Sequence, residues 1–356
     1  MPRILTFSQS ILETLTQLMK KDKNIFLIGM GINDPKGTFG TTINLNKIFG
    51  GRRVIESPTS ENAVAGICLG AATYGMKPII SHQRVEFSLL SMEQIINQAA
   101  KWSFMTANKI KINMVFRLII GKGWGQGPQH SQSLEALFAH VPGLQVVSPS
   151  TPSDAKGLLI SSLKSKSPVI FFEHRWLHDV KGPVSKKLKQ VKIGKAKIVK
   201  KGKDVTLISY SEGMLKLRRI IPLLEKSKIS AEIIDLRSIR PIDKQTILNS
   251  VKKTKKLIVI DNGWKTLGVS SEIISLVSEN LGNKLKFNPI RLALSNYPIP
   301  STKSLAKHSY VDFSDIFNSI TKATNKRINL KFKKDFMNRI ANMNSDTPFN
   351  DFKGPF

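Results

Sequence analysis

The chain has 356 residues, of which 41% are hydrophobic and 22% are charged. This is the composition of a folded protein with room for two domains, and no apolar run reaches the ~18 residues of a membrane helix. The net charge of +30 would suit a polyanion, but the lysines are scattered and no aromatic residues interleave with arginine. Nucleic acid is therefore not an expected partner. The one cysteine, Cys68, excludes an internal disulfide and favours the cytoplasm.

The first half of the chain predicts helices that alternate with buried strands. Apolar residues from Ile4 to Leu18 recur at helical spacing and predict an amphipathic helix rather than a signal peptide. The elements predicted next are a strand at 23–31, a helix at 61–75, a strand at 77–81, a helix at 91–108, a strand at 112–119, and a strand, helix and strand within 144–173. This alternation indicates a mostly parallel sheet covered on both faces.

Between Asp179 and Asp204 the pattern breaks into a lysine-rich connector, the expected domain boundary. The alternation then resumes with strands at 204–211, 230–239 and 256–262 and helices at 214–226, 244–254 and 270–281. The predicted fold class is α/β with two domains, each a mostly parallel sheet flanked by helices. The expected divisions are a first domain at 1–180, a charged linker at 181–203, a smaller domain at 204–325 and a basic C-terminal extension at 326–356.

No metal site is predicted in this chain. The six histidines include one closely spaced pair, His174 and His178, which follows a strand and is interpreted as a solvated loop pair. More informative is the glycine-rich stretch Gly121–Gly127, which leaves a predicted strand and delivers His130 beside Gln129. Ligands bind at the ends of parallel strands, so this is a candidate substrate loop with His130 as proton donor. A structural turn with an incidental histidine is the alternative.

Glu61 and Phe87 each have an ordinary structural explanation. Glu61 begins a predicted helix, where a carboxylate is favoured by roughly 0.3–1 kcal/mol at the positive N-terminus. Phe87 would by default pack in the core. The residues around them do not decide between these roles and a catalytic one.

A series of motifs in fixed order spans roughly residues 2–320 of the chain. They are S-P-T-S-E-N-A-V-A-G-I (Ser57–Ile67), M-E-Q-I-I-N-Q-A-A-K (Met92–Lys101), P-Q-H-S-Q-S-L-E-A (Pro128–Ala136), P-G-L-Q-V-V-S-P-S (Pro142–Ser150), S-D-A-K-G-L-L (Ser153–Leu159), D-L-R-S-I-R-P-I-D (Asp235–Asp243) and Y-P-I-P (Tyr297–Pro300). Together they resemble the beta subunit of the decarboxylating component of 2-oxo acid dehydrogenase complexes, such as pyruvate dehydrogenase. That family belongs to the transketolase-like thiamine diphosphate enzymes.

The resemblance implies roles for individual residues. Glu61 matches the glutamate that hydrogen bonds a ring nitrogen of the cofactor's aminopyrimidine, and the apolar run after it would raise the pKa of such a carboxylate. Phe87 matches the aromatic residue that packs on the pyrimidine, where stacking adds ~0.5–1.5 kcal/mol beyond burial. His130 matches the histidine near the substrate, for proton transfer or hydrogen bonding, and Gln129 beside it is a second candidate substrate contact. Gln83 takes a position that contacts the pyrimidine.

The chain also departs from the family pattern. Gly29-Met30-Gly31 stands where the family has a glycine, a glutamate and a second acid, and Gln83 stands where an apolar residue is usual. Ser165–Ser167 replaces the acidic or amide side chains that the family often carries near a structural potassium ion. These differences argue against that ion here and against ordinary pyruvate as the substrate.

The resemblance further implies a partner chain. The G-D-G…N motif that binds Mg²⁺ and diphosphate is absent from the sequence, and in the family an α subunit supplies it within an α2β2 heterotetramer. The expected reaction is decarboxylation of a small 2-oxo acid and acyl transfer to a lipoyl group, with a lipoyl-bearing acyltransferase core as a further candidate partner. A split transketolase-like ketol transferase and a non-catalytic basic binding protein are the alternatives.

Overall fold

The structure, a computed structural model, describes residues 3–340, so the last part of the predicted C-terminal extension lies outside it. Its strands are β1 (Arg3–Thr6), β2 (Ile25–Gly29), β3 (Val54–Glu56), β4 (Lys77–His82), β5 (Val115–Ile120), β6 (Gln145–Val147), β7 (Val169–His174), β8 (Lys181–Val184), β9 (Lys197–Lys200), β10 (Val205–Ser209), β11 (Ala231–Asp235), β12 (Ser238–Arg240), β13 (Leu257–Trp264) and β14 (Ile290–Leu294).

The α-helices within the described residues are α1 (Phe7–Lys21), α2 (Leu45–Phe49), α3 (Glu61–Thr73), α4 (Ala100–Met105), α5 (Gly127–His130), α6 (Glu135–Ala139), α7 (Pro152–Ser162), α8 (Ser211–Lys226), α9 (Lys244–Thr254), α10 (Val269–Leu281), α11 (Lys303–Ala306), α12 (Phe313–Thr324) and α13 (Leu330–Ile340). Short 3₁₀ helices cover Val85–Ser91, Arg175–Leu177 and Gly282–Lys284, and a π-helix covers Glu93–Ala99. None of the helices within residues 3–340 has the length and apolar character needed to cross a bilayer.

A seven-stranded sheet, in the order β12-β6-β7-β5-β4-β2-β3, forms the first half of the molecule. All of its neighbouring strands are parallel except β12 and β6. β2, β5 and β7 are buried along their whole length, as expected for strands covered on both faces. Helices α1 and α7 share an apolar cluster on one face, and α3 and the π-helix share another on the opposite face. The carboxyl ends of β2, β4, β5 and β7 therefore lie along one edge.

A second sheet, in the order β14-β13-β10-β11-β9, confirms the two-domain α/β fold class. β10, β11, β13 and β14 are parallel, and β9 pairs with β11 in the antiparallel direction at the edge. The connector between the two halves is thus more ordered than its lysine content indicates. β9 carries Lys197 and Lys200, and charged side chains of this kind discourage further strand pairing at a sheet edge.

The prediction for residues 230–239 was wrong in one respect, because this segment contributes to both sheets. β11 lies in the second sheet, whereas β12 crosses back and pairs with β6 in the first. The apolar cluster that contains residues of α3 and the π-helix also contains Phe172 from the first half and Ile208 and Ile234 from the second. The two halves are joined by shared core packing as well as by a strand.

The N-terminal helix is shorter than predicted. Ile4 and Leu5 lie in β1, which pairs with β8, and α1 begins only at Phe7. Thr6 sets this boundary through a capping box, in which its side chain accepts the backbone N–H of Gln9 while the Gln9 side chain accepts that of Thr6.

The interpretation of His174 and His178 as a solvated pair was also wrong, since the two residues are 4% and 0% exposed. His178 Nε2 lies 3.5 Å from Glu173, which in turn pairs with Arg117 at 2.6 Å. The side chains of Arg117 and Glu173 are fully buried. Arg117 also donates to the Thr41 hydroxyl at 2.8 Å. This group ties β5 to β7 and to the loop that contains Thr41.

We predict that Glu173→Ala lowers the free energy of unfolding by about 3–5 kcal/mol, because it leaves the Arg117 charge buried without its carboxylate. Urea denaturation followed by tryptophan fluorescence measures the change. The control is Glu225→Ala, which breaks a pair with Lys200 at a carboxylate that is 56% exposed. That loss should stay below ~1 kcal/mol. Equal losses of unfolding free energy in the two variants would contradict the proposed contribution of the buried pair to stability.

Candidate active site

A cleft opens at the carboxyl ends of β2, β3 and β4. It is lined by Gly29, Met30, Ser57, Pro58, Glu61, Val64, Ile80, Ser81, His82, Gln83 and Phe87. The structure therefore brings together Glu61, Gln83 and Phe87, which the sequence predicted as cofactor contacts. Parallel strand ends are the usual place for ligands in such sheets.

Glu61 is the first residue of α3 and is half-buried. No described residue forms a hydrogen bond or ion pair with its carboxylate, which is therefore available to a ligand. Val64 and Ile80 supply apolar surface beside it in the cleft. The apolar surroundings are one-sided, however, because the outer face of α3 is open and Ile67 is 67% exposed.

Gln83 ties the ends of β2 and β4 together at the rim of the cleft. Its side-chain amide donates to the Met30 carbonyl at 3.0 Å. Gly31 has a φ of +69°, which favours glycine, and a Cβ there would lie 2.0 Å from the Gln83 amide nitrogen and displace it. The Glu56 carboxylate holds the same turn by accepting the backbone N–H groups of Gly31 and Asn33. Glu56, which precedes α3, therefore stabilises the turn after β2.

Phe87 is not a core residue, since 38% of its side chain is exposed. It lies on the 3₁₀ helix after β4, and its ring packs edge-to-face on His130 with centroids 5.6 Å apart. His130 ends α5 in the glycine-rich loop and is also partly exposed. Gln129 is exposed on the same short helix. In the part of the chain that the structure describes, His130 and Gln129 lie outside the lining of the cleft itself.

Two polar residues near the cleft were missed from the sequence. His82 lines the cleft and is 6% exposed, and its Nε2 has no hydrogen-bond partner among the described residues. Burial lowers the pKa of His82 to about 4, so the ring is neutral at physiological pH. Glu86 lies between Phe87 and the His130 loop, and its carboxylate accepts the Gln132 backbone N–H at 3.1 Å. Only their positions, His82 at the carboxyl end of β4 and Glu86 shortly after it, could have indicated either residue.

The base of the glycine-rich loop is anchored to the second half of the molecule. Lys122 Nζ donates to Glu212 on α8 at 3.1 Å and lies 4.6 Å from the centre of the Trp176 ring. Burial lowers the pKa of Lys122 to about 7. Burial acts to raise the pKa of Glu212, but the charges of Lys122 and Lys216 outweigh it and hold that pKa below its ordinary value. This cluster fixes the loop that carries His130.

Two family models match the chain. The model described as the transketolase pyrimidine binding domain matches residues 4–179, and the transketolase C-terminal domain matches residues 194–316. A solved structure titled a split gene transketolase, inactive beta4 tetramer, superposes with a TM-score of 0.73 at 18% identity, over 91% of this chain and 99% of that one. The fold and the cleft therefore define a transketolase-like chain with a pyrimidine-binding domain.

Curated relatives specify the family further. The pyruvate dehydrogenase E1 component subunit beta of Acholeplasma laidlawii is 36% identical over 306 residues, which are 86% of this chain and 94% of that protein. The corresponding subunit of Rickettsia bellii is 31% identical over 318 residues, or 89% and 98% of the two chains. The chain belongs to the family of pyruvate dehydrogenase E1 beta subunits, within the 2-oxo acid dehydrogenases, as its motifs predicted. The ketol-transferase alternative has less support, because the likeness to the split transketolase shows the fold alone.

We predict that Gly29→Ala deforms the cleft, because the new Cβ would lie 2.4 Å from the Ser81 carbonyl oxygen on β4. The unfolding free energy in urea should fall by about 1–3 kcal/mol. Gly70→Ala is the matched control, since an added Cβ on α3 meets nothing within 4 Å. It should raise stability by roughly 0.5–1 kcal/mol. Finding the two variants equally stable would show that β2 and β4 are not held in contact at the cleft.

Proposed function

We propose that this chain is the pyrimidine-binding half of a thiamine diphosphate-dependent 2-oxo acid dehydrogenase that is active only with an α subunit. The observation that carries the proposal is the meeting of Glu61, Phe87 and His130 at one edge of the first sheet. The cofactor, when bound, supplies the nucleophilic carbon and the electron sink that decarboxylation needs. The reaction proposed is decarboxylation of a 2-oxo acid with acyl transfer to a lipoyl group.

The cleft fits the pyrimidine end of that cofactor. It offers an aromatic ring in Phe87, apolar walls in Val64 and Ile80, and a carboxylate in Glu61 that has no partner among the described residues. The buried His82 Nε2 adds a polar atom that no protein group satisfies in the described part of the chain. A flat heteroaromatic ring with nitrogens at its edge matches this combination.

Each residue has a defined task in this proposal. Glu61 hydrogen bonds a pyrimidine ring nitrogen and holds a proton there, Phe87 packs on the ring face, and Gln83 keeps the rim of the cleft in place. His130 donates or accepts a proton at the oxygen of the 2-oxo acid, and Gln129 beside it contacts the substrate. The chain's own contribution is thus to activate the cofactor and to position one end of the substrate.

An exposed apolar surface supports a partner chain. Ile67 and Tyr74 on and beside α3, Leu90 after β4, and Phe104 and Met105 on α4 are each at least 59% exposed. Apolar patches of this kind mark interaction sites. The proposed occupant is an α subunit in an α2β2 heterotetramer, which would bring Mg²⁺ and the diphosphate site to the cleft.

Further parts of the proposal concern the surroundings of the enzyme. The acyl unit is passed to a lipoyl-bearing acyltransferase core. A reducing compartment, the cytoplasm, suits the chain because Cys68 is buried and unpaired. The first domain at 1–180 supplies the site, and the second at 204–325 serves subunit association.

The test is co-expression of the chain with its α partner, followed by assays of decarboxylation and lipoyl acylation with a panel of 2-oxo acids. Glu61→Ala should lower kcat by roughly 10²–10⁴-fold, which is the range for loss of one acid–base group. Thiamine diphosphate binding, measured by calorimetry, should persist. Glu279→Gln on α10 is the control and should keep full activity, since that residue is exposed and remote from the cleft.

Three outcomes would refute the proposal. Full activity of Glu61→Ala removes the catalytic role of that carboxylate. Ketol transfer between sugars without 2-oxo acid decarboxylation would favour the split transketolase. Retention of nucleic acid by a pair that binds no thiamine diphosphate would favour a basic binding protein.

A further inference from the structure

The His130 imidazole faces a carboxylate that no motif assigns. Glu86 Oε2 lies 4.0 Å from His130 Nδ1. Both atoms are buried, and neither has a hydrogen-bond partner within residues 3–340. We propose that Glu86 is the positioning residue of His130: its Oε2 accepts a hydrogen bond from Nδ1–H and so fixes the tautomer of the ring.

The distance of 4.0 Å is longer than a hydrogen bond. A shorter distance would give each of the two atoms the hydrogen-bond partner that it lacks. A buried polar atom without a partner is unfavourable, and a small rotation of the imidazole satisfies the two together. Bonds between catalytic groups are often long before the ligand binds and shorten in the complex. The His130 side chain is 40% exposed, and because Nδ1 is buried, the exposed part of the ring lies away from Nδ1.

Glu86 is itself held from two sides. Its other oxygen, Oε1, accepts the Gln132 backbone N–H, which ties the His130 loop to the 3₁₀ helix that carries Phe87. Burial raises the pKa of Glu86, while its hydrogen bonds and the charge of the buried Arg84 favour the ionised form. Arg84 in turn lies 5.4 Å from the centre of the Phe39 ring. The carboxylate therefore has a fixed place between the two predicted site residues.

The chemical consequence is a choice of tautomer. With Nδ1–H donated to Glu86, the lone pair of Nε2 points away from Glu86 and can hold a proton that is exchanged with the oxygen of the 2-oxo acid. The carboxylate then stabilises the imidazolium until the proton returns, without taking the proton itself. Glu86 acts through His130 and touches neither cofactor nor substrate.

This inference rests on the proposed function for its catalytic meaning, but its first test needs no turnover. In the full-length chain labelled with ¹⁵N-histidine, long-range ¹H–¹⁵N spectra distinguish Nδ1–H from Nε2–H, and His130→Ala assigns the signal. The wild type should show Nδ1–H at His130. Glu86→Gln should show Nε2–H, because an amide that keeps its oxygen on Gln132 presents N–H groups to Nδ1. The control Glu93→Gln, at an exposed glutamate on the π-helix, should leave the tautomer unchanged.

Kinetics of the complex with the α subunit provide the second test. Glu86→Gln should lower kcat roughly 10- to 100-fold with little change in KM or in thiamine diphosphate affinity. In a His130→Ala background the same substitution should have no further effect, because Glu86 acts only through the imidazole. An unchanged tautomer in Glu86→Gln, or an equal additional loss in the His130→Ala background, overturns the proposal. A wild-type complex without 2-oxo acid turnover refutes the proposed function instead and leaves the spectroscopic result to decide the hydrogen bond.

Discussion

The buried ion pair between Arg117 and Glu173 is the constraint on which the functional edge of the first sheet depends. It links β5 to β7, and a further hydrogen bond from Arg117 reaches Thr41 at 2.8 Å. The loop around Thr41 places Phe39 beside Arg84, which favours the ionised form of Glu86. The charge pair in the core and the imidazole of His130 are thus linked through the Thr41 loop, Arg84 and Glu86. Such a pair is costly to bury and destabilising to break, so a packing of these strands that separated the two charges would be disfavoured.

The second half of the molecule contributes to the site without lining the cleft. β12 extends the first sheet, and one apolar cluster spans both halves. Lys122, at the start of the glycine-rich loop, is held by Glu212 of α8. The glycines give the loop freedom, and this buried pair limits it at one end. The proposed proton-transfer role of His130 would need both properties, since the loop would have to adapt to a substrate and still place His130 beside Phe87.

The fold class and the grouping of Glu61, Gln83 and Phe87 were predictable from sequence, because parallel strands bring successive loops to one edge and the motifs singled out these three residues. The pairing of β12 with the first sheet was not predictable, since the sequence of a three-residue strand is too short to indicate which of two sheets it joins. The burial of His174 and His178 was missed because their spacing carries no information about Arg117 and Glu173. Glu86 was missed for the same reason, as its partner lies in a distant loop.

In the proposed heterotetramer, the outer face of α3 would bind the α subunit, so one helix would serve both assembly and chemistry. Ile67 and Tyr74, 67% and 93% exposed, belong to the helix that Glu61 starts and to its C-terminal cap. The exposed apolar surface and the proposed catalytic acid are therefore parts of one helix. A chain without the proposed α subunit would expose this apolar surface, and its Glu61 carboxylate would have no cofactor to bind. For the proposed heterotetramer, matched synthesis of the two subunits would limit aggregation of unpaired chains.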